Sequence, residues 1–401
     1  RMAQSNEIVL ITGGSGCLGQ HIIKLLIQEK YSLGIKEIRS VDLKPYRNLI
    51  GHPECENLKT FVGDICKPET IESAFDGVSC VFHCAAYINF QFPADYNTLT
   101  DVNYFGTSNV IDMCIKYNIP RLIYTSCASI NFVPYMGHST FTIVINQTET
   151  KASVPNTDAT SDPVAFDKQF FMPGYASSKL RAEKLVLNTS GQLLKNGQGC
   201  LNTIALRFPL MYGEGDNHFL PPLYEYLSKR NFTIPRVGGA GGKHQLVYAG
   251  NVAWGHICAY KTLKESPKKI AGLPAFITDD TPINDICRFV QRISQESEAV
   301  QVNKTWWYIP HFLFFFMAFI VETFVKILNP MFGTKLNYSL RAIAAYAASV
   351  MMFNRIRASI HMDYDPKFDD RTSMSASGVW YGKWLKENIP KKTSKAYCMW
   401  I

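Results

Sequence analysis

The chemistry that this sequence can carry starts with Tyr175 and Lys179, in the segment YASSK. The two residues are four apart, so on a helix they project from the same face, one turn apart. A phenol with a pKa of about 10 is a poor base at neutral pH, and a neighbouring ammonium group favours the phenolate. The pair can therefore move a proton, although a surface tyrosine and lysine also occur at this spacing without a function.

Residues 8–19, IVLITGGSGCLG, begin as an apolar run, stop at closely spaced glycines and continue as a helical pattern. Gly13 would supply a tight turn, Gly16 would let the backbone approach a pyrophosphate, and Gly19 would let the helix pack on the strand. The spacing is GxxGxxG rather than GxGxxG, and a glycine triplet alone also fits a turn without a ligand.

The next strand-like run ends in Asp42, where a dinucleotide fold places the acid that binds the adenosine ribose. A carboxylate there repels the 2′-phosphate of NADP, which favours NAD. Arg39, Lys44 and Arg47 are near enough in the sequence to weaken that preference. Together with the glycine segment, Asp42 predicts a dinucleotide-binding fold.

Strand and helix patterns alternate over the first 210 residues, which predicts an α/β Rossmann fold with a doubly wound parallel sheet. Residues 141–145 read as a hairpin strand at the rim of the site, either a lid or an elaboration without function. We predict four segments: an NAD-binding domain at 1–212 with an insertion at 130–173, a smaller interlocked substrate-binding subdomain at 213–304, hydrophobic helices at 305–354 that contact a membrane or cover a pocket, and a C-terminal segment with a basic tail at 355–401.

Composition sets further limits. The chain has 401 residues, of which 47% are hydrophobic, enough for a large core. Eleven cysteines without a CxxC pair predict free thiols in a reducing compartment and no metal site. The net charge is +8, and from residue 331 onward eleven Lys/Arg face five Asp/Glu. The sequence has no recognisable nucleic-acid-binding module, so the basic excess favours binding to a negatively charged membrane surface rather than to nucleic acid.

Residues 305–328 form the most apolar segment. The uninterrupted apolar run at 312–321 has ten residues, whereas a spanning helix needs about 20. The aromatic residues WWY at 306–308 resemble an interfacial belt, so we predict a helix embedded in one leaflet; the alternative is a soluble helix that covers an apolar substrate pocket. Residues 342–353 predict a second apolar helix that pairs with the first through small residues.

Several short motifs follow one another in a fixed order along the chain. This order resembles the extended short-chain dehydrogenase/reductases, and IPRLIYTS together with GEGDNHFLP at 213–221 is similar to the 3β-hydroxysteroid dehydrogenase family and its relatives. The resemblance covers about residues 8–388. The motifs are VGDI at 62–65, CAA at 84–86, DVNYFGT at 101–107, YTS at 124–126, YASSK at 175–179 and LRFPLMYG at 206–213.

The resemblance implies the oxidation of an alcohol to a ketone, with a hydride passing to NAD⁺. Tyr175 would be the general acid/base, and Lys179 would lower its pKa and hold the nicotinamide ribose. The remaining implied cofactor contacts are Gly13, Gly16, Cys17, Leu18 and Gly19 at the pyrophosphate, Asp42 at the adenosine ribose, Asp64 and Ile65 at the adenine, Ala85 and Ala86 beside the cofactor, Asn103 behind the active-site backbone, and Pro209 near the carboxamide.

One position departs from the family pattern. The family has a Ser or Thr after YTS to bond the reacting oxygen, and this chain has Cys127, whose thiol is a weak donor. Ser126 is adjacent, but neighbouring side chains on a strand point to opposite faces. Two outcomes stay open: an enzyme that works with the thiol or with a shifted Ser126, or a nucleotide-binding regulatory or scaffold protein with little turnover.

The predicted function is NAD-dependent oxidation of a 3β-hydroxysteroid or sterol-like lipid alcohol, to which the family adds a Δ5–Δ4 isomerisation. A sterol 4-carboxylate or another lipid alcohol is the alternative substrate. The resemblance also implies an endoplasmic reticulum membrane location with the catalytic domain facing the cytosol, and a homodimer. Neither a metal nor nucleic acid is expected.

Overall fold

The computed structural model describes residues 6–137, 140–156, 166–238 and 242–389, so the basic tail from residue 390 lies outside the described residues. The strands are β1 (Glu7–Thr12), β2 (Ile35–Asp42), β3 (Leu58–Val62), β4 (Cys80–His83), β5 (Arg121–Thr125), β6 (Ile143–Gln147), β7 (Asn202–Arg207), β8 (Leu210–Tyr212), β9 (Thr233–Val237), β10 (Lys243–His244), β11 (Leu246–Tyr248), β12 (Leu273–Phe276), β13 (Asn303–Ile309) and β14 (Val350–Phe353).

Helices follow most of the strands of the first half and dominate the C-terminal third. The α-helices are α1 (Cys17–Leu33), α2 (Pro68–Ile71), α3 (Tyr96–Thr100), α4 (Gly106–Lys116), α5 (Tyr175–Asn188), α6 (Leu220–Ser228), α7 (Ala249–Glu265), α8 (Ile286–Gln295), α9 (His311–Phe332), α10 (Leu340–Ala348), α11 (Ile356–Met362) and α12 (Asp370–Asn388).

The main sheet has seven parallel strands in the order β12-β7-β5-β4-β1-β2-β3. Helices α1 and α7 cover one face of this sheet, and α4 and α5 cover the other. The central strands β1, β4 and β5 are almost wholly buried because both faces of the sheet are covered. From β1 the chain winds outward to β3 and then returns to β4, so a topological switch point lies between β1 and β4, where such folds bind ligands. The predicted parallel Rossmann-like sheet is confirmed.

The substrate subdomain has its own apolar core, which includes Tyr224 of α6, Phe289 of α8 and Tyr381 of α12. Helix α12 packs against α6 and α8. The predicted division therefore needs correction, because residues 370–388 complete this core and do not form a separate C-terminal segment.

The insertion strand is also different from the prediction. β6 pairs in parallel with β14, and β14 pairs in parallel with β10. A hairpin would be antiparallel, whereas this pairing takes its partner from about 200 residues further on. The second predicted helix, 342–353, also needs correction: α10 ends at Ala348, and residues 350–353 form the strand β14.

The segment predicted as one apolar helix at 305–328 is a strand followed by a helix. Trp306, Trp307 and Tyr308 lie on β13, which pairs with β9, and Pro310 separates this strand from α9. Within the described residues, α9 is the one helix long and apolar enough to cross a membrane, and 17% of its apolar window is buried. It packs against α10, so the predicted pairing of the two apolar elements is confirmed.

Candidate active site

A cavity of about 2100 Å³ lies between the glycine turn after β1 and the helix α10. Single ligand sites usually measure about 300–1,000 Å³, so this space can hold a dinucleotide and a second molecule side by side. Its lining includes residues of both the Rossmann domain and the predicted substrate subdomain. The cavity runs along the ends of β1, β2, β4, β5 and β7, which are the ends where parallel sheets bind ligands.

The turn requires glycine at its three positions for different structural reasons. Gly13 has φ +74°, and a Cβ there would lie 2.7 Å from Ala85 N; a Cβ on Gly19 would lie 2.3 Å from Gly13 O. Gly16 is different, because a Cβ there would meet only Gly13 O, at 3.3 Å, and the residue lines the cavity. Packing within the protein therefore explains Gly13 and Gly19, while Gly16 keeps space free on the ligand side.

Helix α1 begins directly at this turn. Gly16 is its N-cap without a side-chain hydrogen bond, and its first turn holds no acidic residue. The Cys17 thiol donates to the carbonyl oxygen of Glu214 at 3.3 Å, so the backbone of Cys17, with that of Leu18, is what can face a phosphate. A helix N-terminus of this kind attracts anions, and the residues present fit a dinucleotide pyrophosphate.

Asp42 lies at the cavity edge, at the end of β2. Its carboxylate accepts hydrogen bonds from the backbone N–H groups of Ser15 (3.0 Å) and Lys44 (3.1 Å), which fix it beside the glycine turn. Arg39 does not approach it, because its guanidinium group pairs with Glu37 at 2.5 Å and donates to backbone carbonyls near residue 75. The suggestion that Arg39 weakens the preference for NAD is therefore wrong.

The other implied cofactor contacts follow strand ends of the same sheet. Asn109 of α4 donates to the carbonyl oxygen of Ile65 at 2.9 Å and fixes the loop after β3. All of these residues line the cavity: Asp64, Ile65, Ala85, Ala86 and Pro209.

Tyr175 and Lys179 occupy the first two turns of α5, and both are buried. Gly174 before them has φ +80°, and Asp167 accepts hydrogen bonds from its N–H and from the Ser177 hydroxyl, which fixes the start of the helix. Lys179 Nζ donates to the carbonyl oxygen of Thr125 at 2.7 Å. The two side chains thus lie in one wall of the cavity, as their spacing predicts.

Burial dominates the titration of this pair. It lowers the pKa of Lys179 to about 8 and raises the pKa of Tyr175 well above its usual value, with the nearby Cys127 adding to the rise. In this state of the protein, burial of the phenol therefore sets the direction of the Tyr175 pKa, and the lowering of that pKa by Lys179 stays a prediction.

Asn103 connects the cavity wall to α5. It lies in a π-helical turn, Asp101–Phe105, that joins α3 to α4 in one run. Its amide accepts a hydrogen bond from Tyr87 N (2.8 Å) and donates to Tyr87 O (3.1 Å) and to Ser178 Oγ (3.0 Å). It thus fixes the backbone of Tyr87, which lines the cavity, and joins it to the Ser178 side chain on α5.

The segment after β5 separates the two candidate donors. The Ser126 hydroxyl donates to Glu183 Oε2 at 2.6 Å inside the protein, so a catalytic role for Ser126 needs correction. Cys127 faces the other way: its sulfur lies 2.7 Å from Ser129 Oγ, and it is close enough to Tyr175 to add to the rise in the pKa of that phenol. This alternation is what an extended backbone produces.

Three site residues were missed by sequence reasoning. Ser129 was detectable as the next hydroxyl after Cys127. Asp167 and Phe90 lie in segments whose sequence has no periodic pattern, and no local signal shows that the Phe90 ring packs edge-on against Tyr175 at 5.0 Å. Among the described residues, no group of three or more His, Cys, Asp or Glu could hold a metal ion.

The sequence model of the 3-beta hydroxysteroid dehydrogenase/isomerase family matches residues 10–309. This match spans about three quarters of the chain and includes the glycine turn, Tyr175 and Lys179. The chain belongs to this family. The family and the geometry of the site together indicate an NAD-dependent oxidoreductase, and they confirm the resemblance drawn from the motifs.

Solved structures share the fold of this family member at low identity. MoeE5 in complex with UDP-glucuronic acid and NAD has a TM-score of 0.62 and 15% identity, over 94% of this chain and 99% of that one. DesIV, a dTDP-glucose 4,6-dehydratase from Streptomyces venezuelae with NAD and TYD bound, has a TM-score of 0.63 and 16% identity, over 94% of this chain and 98% of that one. Pal from Bacillus thuringiensis has a TM-score of 0.62 and 18% identity, over 94% of this chain and 100% of that one. The first two contain NAD, the cofactor predicted for this chain.

Proposed function

We propose that this protein catalyses the NAD-dependent oxidation of a 3β-hydroxysteroid or a similar sterol-like lipid alcohol to the ketone. The observation that carries the proposal is the position of Tyr175 in the wall of a cavity that is also lined by the glycine turn and by the aromatic side chains of Phe90 and Tyr338. Phe90 packs on the Tyr175 ring and stacks on Tyr338 at 6.3 Å. Flat aromatic walls of this kind fit the rigid apolar ring system of a steroid.

The chain's own residues hold and move the proton. Tyr175, as phenolate, takes the proton of the substrate hydroxyl, and in the reverse direction the phenol returns it. Lys179 is fixed by the Thr125 carbonyl, so its ammonium group stays beside the reacting centre. Bound NAD⁺ supplies the hydride acceptor. Asn103 and Asp167 keep the start of α5 in place, which preserves the alignment on which the rate depends.

A second candidate substrate is an acidic one, such as a sterol 4-carboxylate. Arg236 and Lys304 lie on the paired strands β9 and β13, are half-buried and line the cavity. Within the described part of the chain neither forms an ion pair. Burial raises the pKa of the Cys287 thiol to about 11, and both cations lie close enough to oppose that rise. Cations in such a wall favour a substrate with a carboxylate.

The test is NADH formation with purified protein, NAD⁺ or NADP⁺, and matched neutral and 4-carboxylated 3β-hydroxysterols. We expect Tyr175→Phe to lower kcat by about 10²–10⁴, the usual contribution of an acid/base group. Tyr224→Phe is the matched control, because its buried hydroxyl has no hydrogen-bond partner among the described residues. NAD binding without turnover of any sterol would overturn the proposal and favour the regulatory or scaffold protein.

We also propose that α9 lies on one leaflet of the endoplasmic reticulum membrane. Its outer face exposes Phe312, Phe316 and Phe324 by 60–76%. Its inner face is held against α10, because the buried Glu322 forms an ion pair with Arg341 and accepts a hydrogen bond from Ser339, the residue before α10. The inner side includes Phe314, which lines the cavity, so α9 also covers the pocket.

Flotation with anionic vesicles tests this proposal. We expect the protein to float, and we expect the triple variant Phe312→Ser/Phe316→Ser/Phe324→Ser to remain in the bottom fraction while its far-UV spectrum is unchanged. Equal flotation of both proteins would contradict the one-leaflet contact.

A further inference from the structure

The proposed oxidation needs a second hydrogen-bond donor beside Tyr175, and Cys127 is a weak one. As the reaction proceeds, negative charge develops on the substrate oxygen, and a preorganised donor aimed at that atom lowers the barrier. A thiol donates poorly compared with a hydroxyl. If Cys127 were the only partner, the site would lack a good donor at the point where its family has a serine or threonine.

The hydroxyls next to Cys127 on its N-terminal side are used elsewhere. Thr125 Oγ1 lies 3.0 Å from His256 Nε2 and donates to the Cys84 sulfur. Ser126 donates to Glu183, which also binds the guanidinium group of Arg207, and all three are buried. Neither hydroxyl can turn to the substrate without leaving a buried polar group unpaired.

Ser129 differs from both. All three residues line the cavity, but Thr125 and Ser126 are buried, whereas Ser129 is only partly buried and its hydroxyl lies 2.7 Å from the Cys127 sulfur. Among the described residues the sulfur is its hydrogen-bond partner, and a weak acceptor of this kind is easily exchanged for an oxygen. The hydroxyl is therefore available where Ser126 and Thr125 are not.

Local backbone geometry explains this position. The chain is extended at Cys127, with φ −152° and ψ 156°, and then enters a 3₁₀ turn at Ala128–Asn131. Ala128 N donates to the carbonyl oxygen of Phe208 at 2.8 Å, which fixes the turn against the end of β7. The turn brings the side chain of Ser129 back beside the sulfur of Cys127, in the wall of the cavity that also includes Tyr175.

We propose that Ser129 donates the second hydrogen bond to the reacting oxygen, in place of the hydroxyl that the family carries at position 127. The inference rests on the proposed function and deepens it. No bond to Ser129 forms or breaks: its proton stays on Oγ, the substrate proton passes to Tyr175, and the hydride passes to the cofactor. Cys127 then acts as an apolar wall beside the two donors.

The experiment compares kcat and KM of Ser129→Ala, Cys127→Ala and the double variant Cys127→Ser/Ser129→Ala. We expect Ser129→Ala to lower kcat by about 100-fold at constant KM, as for the loss of one oxyanion donor, and Cys127→Ala to lower kcat clearly less than Ser129→Ala does. The double variant should recover to within about tenfold of the wild type, because it restores a hydroxyl at the family's position. If Ser129 had only a structural role, a serine at position 127 would not restore kcat.

The outcomes separate the two proposals. Full activity of Ser129→Ala, with an inactive Tyr175→Phe, overturns the role of Ser129 and leaves the proposed function intact. A loss in Ser129→Ala without rescue by Cys127→Ser, or an equal loss in Cys127→Ala, also overturns it. No turnover in the wild type overturns the proposed function and this inference with it. Ser129→Thr keeps the hydroxyl and should stay within about tenfold of the wild type.

Discussion

The hydroxyl of Ser126 donates a hydrogen bond to Glu183 at 2.6 Å, across the gap between β5 and the helix that carries Tyr175. Glu183 lies one turn after Lys179 and also pairs with Arg207 of β7. Because all three side chains are buried, the network holds α5 at a fixed distance from the sheet. Ser126, the neighbour of Cys127, thus helps to position α5, and its hydroxyl points to Glu183 rather than to the substrate.

Breaking this network should destabilise the protein more than it affects the chemistry directly. Glu183→Gln leaves the buried Arg207 without its counter-charge, and we expect a loss of about 3–5 kcal/mol in the free energy of unfolding. Ser126→Ala should cost about 1–3 kcal/mol, since one acceptor oxygen loses its donor. Urea denaturation followed by tryptophan fluorescence measures both. A loss in Ser126→Ala as large as in Glu183→Gln would contradict this ranking.

The rate of oxidation should rise with pH. Burial raises the pKa of Tyr175, so little phenolate is present at neutral pH and each unit of pH increases it about tenfold. Burial also lowers the pKa of Lys179 to about 8, so its ammonium group is intact below that pH and is lost above it. We expect log kcat to rise steeply below about pH 8 and to flatten above it.

The control for this profile is Lys179→Met. It removes the group that titrates near pH 8, so its profile should lose the break at that pH while its overall rate is lower. A wild-type profile that is flat from neutral pH upward would show that Tyr175 is not the base.

Gly16 and Gly19 should respond differently to substitution. Gly16→Ala adds a Cβ on the ligand side, so we expect the Kd for NADH to rise at least about tenfold while the melting temperature stays near that of the wild type. Gly19→Ala places a Cβ 2.3 Å from Gly13 O and should lower the melting temperature as well. NADH fluorescence titration and thermal melting separate the two effects. Equal melting temperatures for both variants would contradict this assignment.

Asp42 should determine the choice between the two nicotinamide cofactors. Asp42→Ala removes the carboxylate that repels a 2′-phosphate, so we expect NADH to bind about tenfold more weakly and NADPH to bind more tightly than before. Asp112→Asn, an exposed change on α4, is the control. Unchanged affinities for both cofactors in Asp42→Ala would place the ribose elsewhere.

Sequence alone determined the features that depend on local periodicity and fixed spacing. Apolar runs with glycines at 13, 16 and 19 predict a buried strand, a turn and a helix, because each of these is decided by neighbours within a few residues. The four-residue spacing of Tyr175 and Lys179 places them on one helical face for the same reason.

Tertiary structure decided what depends on distant partners. β6 finds β14 about 200 residues away, and α12 joins the core of the substrate subdomain, because backbone hydrogen bonds and apolar surface are satisfied by whatever segment the fold brings near. The pKa of Tyr175 follows burial, which no spacing reveals. Whether Ser126 or Ser129 faces the cavity depends on where β5 ends and on the buried Glu183, so only the folded chain distinguishes the two hydroxyls.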